Sequence, residues 1–157
     1  MTTAVFLSLG SNVGDRKALI DEAVVRIAHL PDTVLRVRSA YYRTVPVGPV
    51  KDQPWYLNAA IGVETRLSKV ELGASCRSIE TSLGRDRSKE VPSGPRPIDI
   101  DVLAAPLDTR AFVLVPLAEI AADVSFEGRK VAEYLAATEV RGVQKLAWPM
   151  PEIDGGE

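Results

Sequence analysis

The apolar positions of this chain change period along its length, and the changes mark out its secondary structure. Four segments have the β-rich or alternating pattern of strands: residues 3–12, 33–44, 55–67 and 98–103. Two segments between them repeat apolar residues at helical spacing: residues 15–30 and 68–83. The order β-α-β-β-α-β predicts an α+β fold of the ferredoxin-like type, an antiparallel sheet with helices packed on one face. The other face of the sheet would then be free to form a ligand cleft.

Capping and turn residues mark where these elements begin and end. Asp15 can cap the first predicted helix, and Ser68 with Glu71 makes a capping box at the start of the second. Gly84 is placed to close that second helix. Prolines, glycines and polar residues predict two long loops, residues 45–54 and 85–96.

The sequence of the last third of the chain predicts C-terminal helices followed by a frayed terminus. One helix would begin behind Pro116, because proline suits the first helical position, and another would cover residues 129–138. The tail from about residue 149 to residue 157 is expected to fray. A length of 157 residues suits one domain, residues 1–157, with a sizeable core.

Composition narrows the class of protein. Hydrophobic residues make up 46% of the chain and charged residues 25%, which is typical of a globular protein. The net charge of −2 gives no electrostatic reason to expect nucleic acid as a partner. A single cysteine, Cys76, cannot form an internal disulfide. No apolar run approaches the ~20 residues of a membrane span, and the N-terminus lacks the basic start of a signal peptide, so a cytoplasmic protein is expected.

Two carboxylates interrupt the last predicted strand, in the stretch GPRPIDIDVL. Side chains alternate across a strand, so Asp99 and Asp101 share one face while Ile98, Ile100 and Val102 point into the core. At a separation of about 6–7 Å the two charges repel by roughly 2–3 kcal/mol if the effective dielectric constant is near 20. A cation relieves this repulsion, and Mg²⁺ prefers one or two carboxylates together with water and phosphate oxygens. The pair predicts a magnesium site; ordinary solvated acids on an exposed strand face are the alternative.

Arginines lie on both sides of this stretch, at positions 85, 87 and 96. Arginine binds phosphate oxygens bidentately and keeps its charge. Carboxylates that hold metal, beside arginines that hold phosphate, meet the electrostatic needs of phosphoryl transfer. Surface ion pairs with Asp86 and Glu90 are the alternative. The chain has no G-x-x-x-x-G-K-[ST] sequence, so side chains and metal must hold the phosphates.

An aromatic ring and a carboxamide share a face of the strand WYLNAA. Tyr56 can stack on a flat heterocycle, and Asn58 can bond its polar edge. The proline-bounded loop of residues 44–54 could close over such a ligand. Ordinary packing of a half-buried strand would explain the two residues equally well.

Five motifs, in order, resemble those of the 6-hydroxymethyl-7,8-dihydropterin pyrophosphokinase family. They are SLGSNVGDR, YYRTVPVGP, KDQPWYLNAA, IETSLGR and above all GPRPIDIDVL. The resemblance runs from about Ala4 to Trp148 and implies a ferredoxin-like fold. It also implies transfer of pyrophosphate from ATP to the pterin hydroxymethyl group, which leaves AMP.

The same resemblance implies a set of site residues. Asp99 and Asp101 would hold two Mg²⁺ ions, and Arg85 and Arg96 would act on the phosphates as catalytic residues. The ATP site would comprise Glu80, Arg85, Arg87, Arg96 and Arg110. The pterin pocket would comprise Thr44, Val45, Val47, Tyr56, Asn58 and Phe112, with the ring between Tyr56 and Phe112. A monomer that takes only these small molecules is expected.

The chain departs from the family on the nucleotide side. Only residues 104–109 join the aspartate strand to the R-x-F motif at Arg110, where family members carry a longer segment with a histidine near ATP. The loop sequence SKEVPS also lacks the aromatic residue often found there. Weaker ATP binding is therefore expected. Two other functions stay open: a non-catalytic or weakly active pterin-binding relative, and a phosphotransferase that acts on another heterocycle.

Overall fold

The computed structural model describes residues 1–45, 53–92, 94–149 and 151, and within these ranges the chain forms eight strands and four α-helices. The strands are β1 (Thr3–Ser11), β2 (Thr33–Arg38), β3 (Tyr42–Thr44), β4 (Tyr56–Thr65), β5 (Asp99–Val102), β6 (Ser125–Phe126), β7 (Arg129–Lys130) and β8 (Val143–Lys145). The helices are α1 (Arg16–Ala28), α2 (Lys69–Ser82), α3 (Ala111–Ala121) and α4 (Val131–Ala136). None of the helices in these ranges has the length and hydropathy needed to cross a membrane.

One antiparallel sheet organises the fold. Its strands follow the order β5-β1-β4-β3-β8. The strand β2 also pairs with β4, on the same edge as β3 but along the C-terminal half of β4. The long strands β1 and β4 lie in the middle, with Leu7 opposite Ile61 and Gly10 opposite Asn58. This order confirms the predicted α+β, ferredoxin-like arrangement, in which β1, β2, β4 and β5 with α1 and α2 make up the β-α-β-β-α-β unit.

The two faces of the sheet are covered differently. On one face Leu7, Leu9 and Leu57 pack against α1 and α2 in the main core. Each such buried side chain contributes about 1.5–3 kcal/mol to stability. On the other face Phe6 and Ala60 pack against α3 and α4. The C-terminal helices thus cover part of the face expected to be free, and the uncovered part lies where β1 ends and β4 and β5 begin.

The predicted helix caps are confirmed. The Ala18 N–H donates to the Asp15 carboxylate over 3.1 Å at the start of α1. At the start of α2 the Glu71 N–H donates to Ser68 Oγ over 3.1 Å, and the Ser68 N–H donates to Glu71 Oε1 over 2.9 Å. Gly84 follows α2 with a φ of +104°, a conformation that favours glycine.

Residues 33–44 do not form the single strand that was predicted. The segment breaks into β2 and β3 at Ser39, whose side chain enters the ladder. The Ser39 N–H donates to the Ala60 carbonyl over 2.8 Å, and the Ala60 N–H donates to Ser39 Oγ over 2.9 Å. Because a hydroxyl replaces a carbonyl at this point, the strand bends and restarts at Tyr42.

Predictions for the C-terminal third were partly wrong. α3 begins at Ala111, so Pro116 lies inside the helix rather than at its first position. The last helix covers Val131–Ala136 and follows the β6–β7 hairpin. The strand β8 was not predicted, because three residues carry little periodic signal and the strand is defined by its pairing with β3. Most of the tail expected to fray lies outside the described residues.

Candidate active site

The uncovered part of the sheet brings polar residues from three strands together. In β5 and β1, Asp99 lies opposite Gly10 and Asp101 lies opposite Ser8. On its other side Gly10 lies opposite Asn58 of β4. Paired residues of neighbouring strands point to the same face, so the side chains of the two aspartates and Asn58 lie on one face of the sheet. Ile100, between the aspartates, is buried in the core on the other face.

Gly10 allows these strands to leave an open surface between their side chains. A Cβ at this position would lie 2.8 Å from Asn58 Nδ2 and 3.5 Å from the Tyr56 ring. Any larger residue would therefore displace the Asn58 amide. The sequence analysis did not single out Gly10, although a glycine inside an otherwise apolar strand is a signal for close approach.

Asp99 belongs to a buried ion-pair cluster centred on Arg85. Arg85 Nη1 donates to Asp99 Oδ1 over 2.9 Å and to Glu80 Oε2 over 2.7 Å. Its Nε and Nη2 donate to the two oxygens of Glu90, over 2.6 and 3.1 Å. The ion pair with Glu90, predicted as the alternative to phosphate binding, is thus present. Three carboxylates thus surround one guanidinium, so the net charge of this cluster is negative.

Glu80 anchors β5 from the C-terminal turn of α2. Besides its bond to Arg85, Glu80 Oε2 accepts the Ile100 N–H over 2.8 Å at the free edge of β5. Its Oε1 accepts a bond from the exposed Arg87 over 2.9 Å. The Glu80 side chain is only 2% exposed. In this structure the Glu80 carboxylate therefore helps to hold β5 in place. A contact between Glu80 and ATP stays a prediction.

Asp101 differs from Asp99 because no arginine forms an ion pair with it among the described residues, although Arg85 and Arg110 lie near enough to act on its charge. Among the described residues no donor contacts its carboxylate, and the residue reaches solvent. Desolvation of the carboxyl group, followed by the negative charges of Asp99, Glu80 and Asp108, raises the pKa of Asp101 to about 6.

This pair fits a hard cation. Oxygen ligands from one or two carboxylates are what Mg²⁺ takes from proteins, with water or phosphate in its other positions. The described residues contain no cluster of three or more acidic, histidine or cysteine ligands that could form an all-protein cage. An unbalanced carboxylate beside a second one, on an open surface, suits an ion that arrives with phosphate.

The two other arginines of the predicted phosphate site lie at different distances from the aspartates. Arg96 Nη1 is 3.9 Å from Asp99 Oδ2, and the Arg96 side chain is 18% exposed. Arg87 is 58% exposed and reaches only Glu80. Arg96 is thus beside the metal candidates and open to a ligand, while Arg87 is on the rim.

Three predicted pterin residues meet next to Gly10. Thr44 Oγ1 donates to Asn58 Oδ1 over 2.6 Å, and Asn58 Nδ2 donates to the Leu9 carbonyl over 3.4 Å. Tyr56 Oη donates to the Gly94 carbonyl over 3.2 Å. Both Thr44 and Asn58 are buried, so their bond fixes the orientation of the Asn58 amide.

Phe112 and Arg110 lie at the start of α3, beside a cavity of about 270 Å³. The Arg110 guanidinium lies over the Phe112 ring, 4.5 Å from its centroid. Asp108 Oδ2 accepts from Arg110 Nη2 over 2.6 Å, and Asp108 Oδ1 accepts the Arg110 N–H over 3.0 Å. The cavity is also lined by Thr44 and Val45 and by residues of the segment 138–143.

The structure therefore gathers most predicted residues around one surface. Val47 lies outside the described residues. Sequence reasoning missed Gly10, Asp108 and the segment 138–143. Asp108 is recognisable only as an acid two residues before an arginine, and nothing in the pattern of residues 138–143 places them beside Thr44.

Comparisons with known proteins agree on one family. The family model described as 7,8-dihydro-6-hydroxymethylpterin-pyrophosphokinase (HPPK) matches residues 6–122. The 2-amino-4-hydroxy-6-hydroxymethyldihydropteridine pyrophosphokinase of Methylorubrum extorquens is 43% identical, over 92% of this chain and 99% of the relative. The enzymes of the same name from Pseudomonas aeruginosa and Bacillus subtilis are 33% and 36% identical, over 93% and 92% of this chain and 98% and 90% of their own lengths. The solved HPPK-DHPS of Plasmodium falciparum has a TM-score of 0.41 and 15% identity, over 92% of this chain and 34% of that one.

Proposed function

Since the chain belongs to the 7,8-dihydro-6-hydroxymethylpterin-pyrophosphokinase family, we propose that its reaction takes place on the uncovered surface around Gly10, Asn58, Asp99 and Asp101. The protein is a pyrophosphokinase of folate biosynthesis, and it transfers pyrophosphate from ATP to 6-hydroxymethyl-7,8-dihydropterin, which leaves AMP. The proposal concerns which residues carry out the transfer and what each one does.

The observation that carries the proposal is the unbalanced Asp101 carboxylate beside Asp99. Two carboxylates on one open strand face repel each other, and among the described residues only Asp99 of the two forms an ion pair with an arginine. We propose that Asp99 and Asp101 hold Mg²⁺, with two ions bound when ATP is present. Bound Mg²⁺ would neutralise phosphate oxygens and orient them toward the acceptor hydroxyl.

The arginines divide the remaining work. Arg85 keeps Asp99 in place through its 2.9 Å bond, and it is too buried to move far. Arg96 pairs with Asp99 over 3.9 Å and donates from Nε to the Gly94 carbonyl over 3.4 Å, so its half-buried guanidinium would be available to bind the transferring phosphates. Arg87, Arg110 and Glu80 are assigned to the nucleotide with less direct support, since each is paired within the protein.

The pterin would bind between β4 and the start of α3. Tyr56 and Phe112 would stack on its ring, and Asn58 would bond its polar edge while Thr44 and Leu9 hold the amide. Val45 would line the same pocket. Stacking on Phe112 requires the Arg110 guanidinium to leave the ring, or to lie over the face that the pterin does not use.

All of these residues come from one chain, so a monomer is sufficient for the proposed chemistry. A cytoplasmic location and a single domain over residues 1–157 stay predictions. The alternative of a weakly active relative is favoured by one observation: the pairing of Arg110 with Asp108 in the shortened connection, which occupies a predicted ATP contact.

Substitution of the aspartates tests the proposed site. Asp99→Ala and Asp101→Ala should each abolish AMP release at saturating Mg²⁺, because two ligands of the ion would be reduced to one. Asp123→Ala is a matched control, since Asp123 is 93% exposed and far along the chain from the site. Circular dichroism would verify that all three variants fold. Near-normal AMP release by either site variant would contradict the metal assignment.

A further inference from the structure

Asn12 is a buried side chain next to the site for which the reaction has so far given no role. It follows the last residue of β1 and has no solvent exposure. Its Nδ2 donates to Gln53 Oε1 over 2.8 Å and to the Pro54 carbonyl over 3.1 Å. Its Oδ1 accepts the Arg96 N–H over 2.8 Å, and its own N–H donates to the Arg96 carbonyl over 3.2 Å.

These four bonds join the two halves of the proposed site. Gln53 and Pro54 lie just before Tyr56, where β4 and its pterin side begin. Arg96 is the half-buried phosphate candidate, three residues before Asp99. The two segments are more than forty residues apart in sequence, and the Asn12 amide bridges them.

Asparagine is suited to this position because it offers a donor and an acceptor at the same end of a short side chain. The Arg96 N–H requires an acceptor, and the Pro54 carbonyl requires a donor, so the partners fix which way the amide points. A buried polar group left without a partner lowers stability, which favours keeping both bonds in place.

We propose that Asn12 is a positioning residue, which sets the distance between the phosphate-binding arginine and the pterin pocket. The inference rests on the proposed function, because it assigns Arg96 to the phosphates and Tyr56 with Asn58 to the pterin. A group transfer between two bound substrates depends on this distance: a displacement of about 1 Å can cost roughly a hundredfold in rate.

The test uses Asn12→Ala, Arg96→Ala and the double variant, with Thr33→Val as the control. Thr33 forms a buried 2.8 Å bond with Thr65 at the opposite end of the sheet, so its loss lowers stability without touching the site. AMP release gives kcat and KM for each substrate, and calorimetry gives the affinity for a non-hydrolysable ATP analogue with Mg²⁺. All assays are run at a temperature where circular dichroism shows each variant folded.

Asn12→Ala should lower kcat by roughly a hundredfold and weaken the ATP analogue by roughly tenfold, while Thr33→Val changes both by less than about twofold. In the Arg96→Ala background, Asn12→Ala should weaken the analogue no further, since the guanidinium that it positions is gone. Additive losses, or kinetics of Asn12→Ala that match the control, would overturn the inference.

Asn12→Asp decides the matter if Asn12→Ala does not fold. This variant keeps the acceptor for the Arg96 N–H and loses the donors to Gln53 and Pro54, so it should raise KM for the pterin more than KM for ATP. Equal increases would overturn the inference.

The Arg96→Ala variant separates failure of this inference from failure of the proposed site. If Arg96→Ala alone leaves the ATP analogue bound as tightly as before, the proposed phosphate site fails as well. If Arg96→Ala weakens binding while Asn12→Ala does not, only the role of Asn12 fails.

Discussion

Asp101 lies among more negative than positive charge, and this imbalance has consequences that can be measured without substrate. Asp99, Glu80 and Asp108 surround it, while Arg85 is engaged with three carboxylates. Because the Asp101 carboxyl is partly desolvated and lies near these negative charges, the folded chain holds a proton on it up to a pKa of about 6, above the ordinary aspartate value of 3.8. An ion bound to the pair would reverse this preference.

The metal-free protein should lose stability as the pH rises through about 6. Because the folded state binds the Asp101 proton more tightly than the unfolded chain does, this contribution is complete at pH values below the ordinary pKa and is lost above the raised one. Relative to the wild type, Asp101→Asn should gain about 1 kcal/mol of unfolding free energy between pH 4 and pH 7, after allowance for solvent screening. Urea denaturation with a chelator measures the difference, and parallel pH curves for the two proteins would contradict it.

Asn58 should act on the pterin far more than on ATP. Asn58→Ala removes the amide that Thr44 and Leu9 hold, and an unpaired buried polar edge on the ligand costs about 1–3 kcal/mol, or roughly ten- to a hundredfold in affinity. Calorimetry with each ligand alone provides the measurement. Thr44→Val serves as a companion variant, because it frees the Asn58 amide without deleting it. Equal losses of affinity for both ligands would speak against the division of the site.

Among the secondary-structure elements, β5 depends most on a single contact. It is a four-residue strand at the edge of the sheet, and the Ile100 N–H on its free side donates to Glu80. Glu80 also balances Arg85, so α2, β5 and the following loop are joined through one carboxylate. The position of both aspartates is thus set by a residue of a different element.

Glu80→Ala should destabilise the protein by about 1–3 kcal/mol, since it leaves the buried Ile100 N–H without its acceptor and removes one of the three carboxylates around Arg85. Glu80→Gln should cost less, because its amide oxygen can still accept from Ile100. Glu22→Ala, which breaks an exposed pair with Arg26, is the control and should cost less than about 1 kcal/mol. Urea denaturation compares the three. A Glu80→Ala protein as stable as the control would refute the anchoring role.

At the scale of the whole molecule, we predict that the short connection between β5 and α3 weakens the hold on the nucleotide. Residues 104–109 bring Asp108 against Arg110, and the Arg110 guanidinium lies over the Phe112 ring. Because this ion pair occupies Arg110, a predicted ATP contact, we expect ATP to be held mainly by the metal pair and Arg96.

The protein should bind ATP more weakly than relatives that carry the longer segment, and bind the pterin about as well. Loss of one or two charge-assisted hydrogen bonds, at about 1.5–3 kcal/mol each, weakens ATP by roughly ten- to a thousandfold or more. The remaining affinity should depend steeply on Mg²⁺. A titration of both proteins with a non-hydrolysable ATP analogue, at fixed Mg²⁺, tests this, and equal affinities would sink the prediction.

The sequence by itself determined the fold and the metal candidates, because both follow from short-range rules. Period-two and helical spacing predicted the β-α-β-β-α-β order, and local capping at Asp15 and Ser68 needs only neighbouring residues. Alternation along β5 was enough to place Asp99 and Asp101 on one face. The family motifs then supplied the chemistry that this geometry suits.

Tertiary structure alone decided which charges balance which. Arg85 forms ion pairs with Glu80, Glu90 and Asp99, and within the part of the chain that the structure describes Asp101 has no such pair. No spacing rule predicts these contacts. The tertiary structure also decided the break at Ser39, where the side chain bonds a strand residue twenty-one positions away. It likewise placed Pro116 inside α3, because no local signal marked the start of that helix at Ala111. The bridge at Asn12 joins segments distant in sequence, so only their packing against β1 brings them within hydrogen-bond distance of one amide.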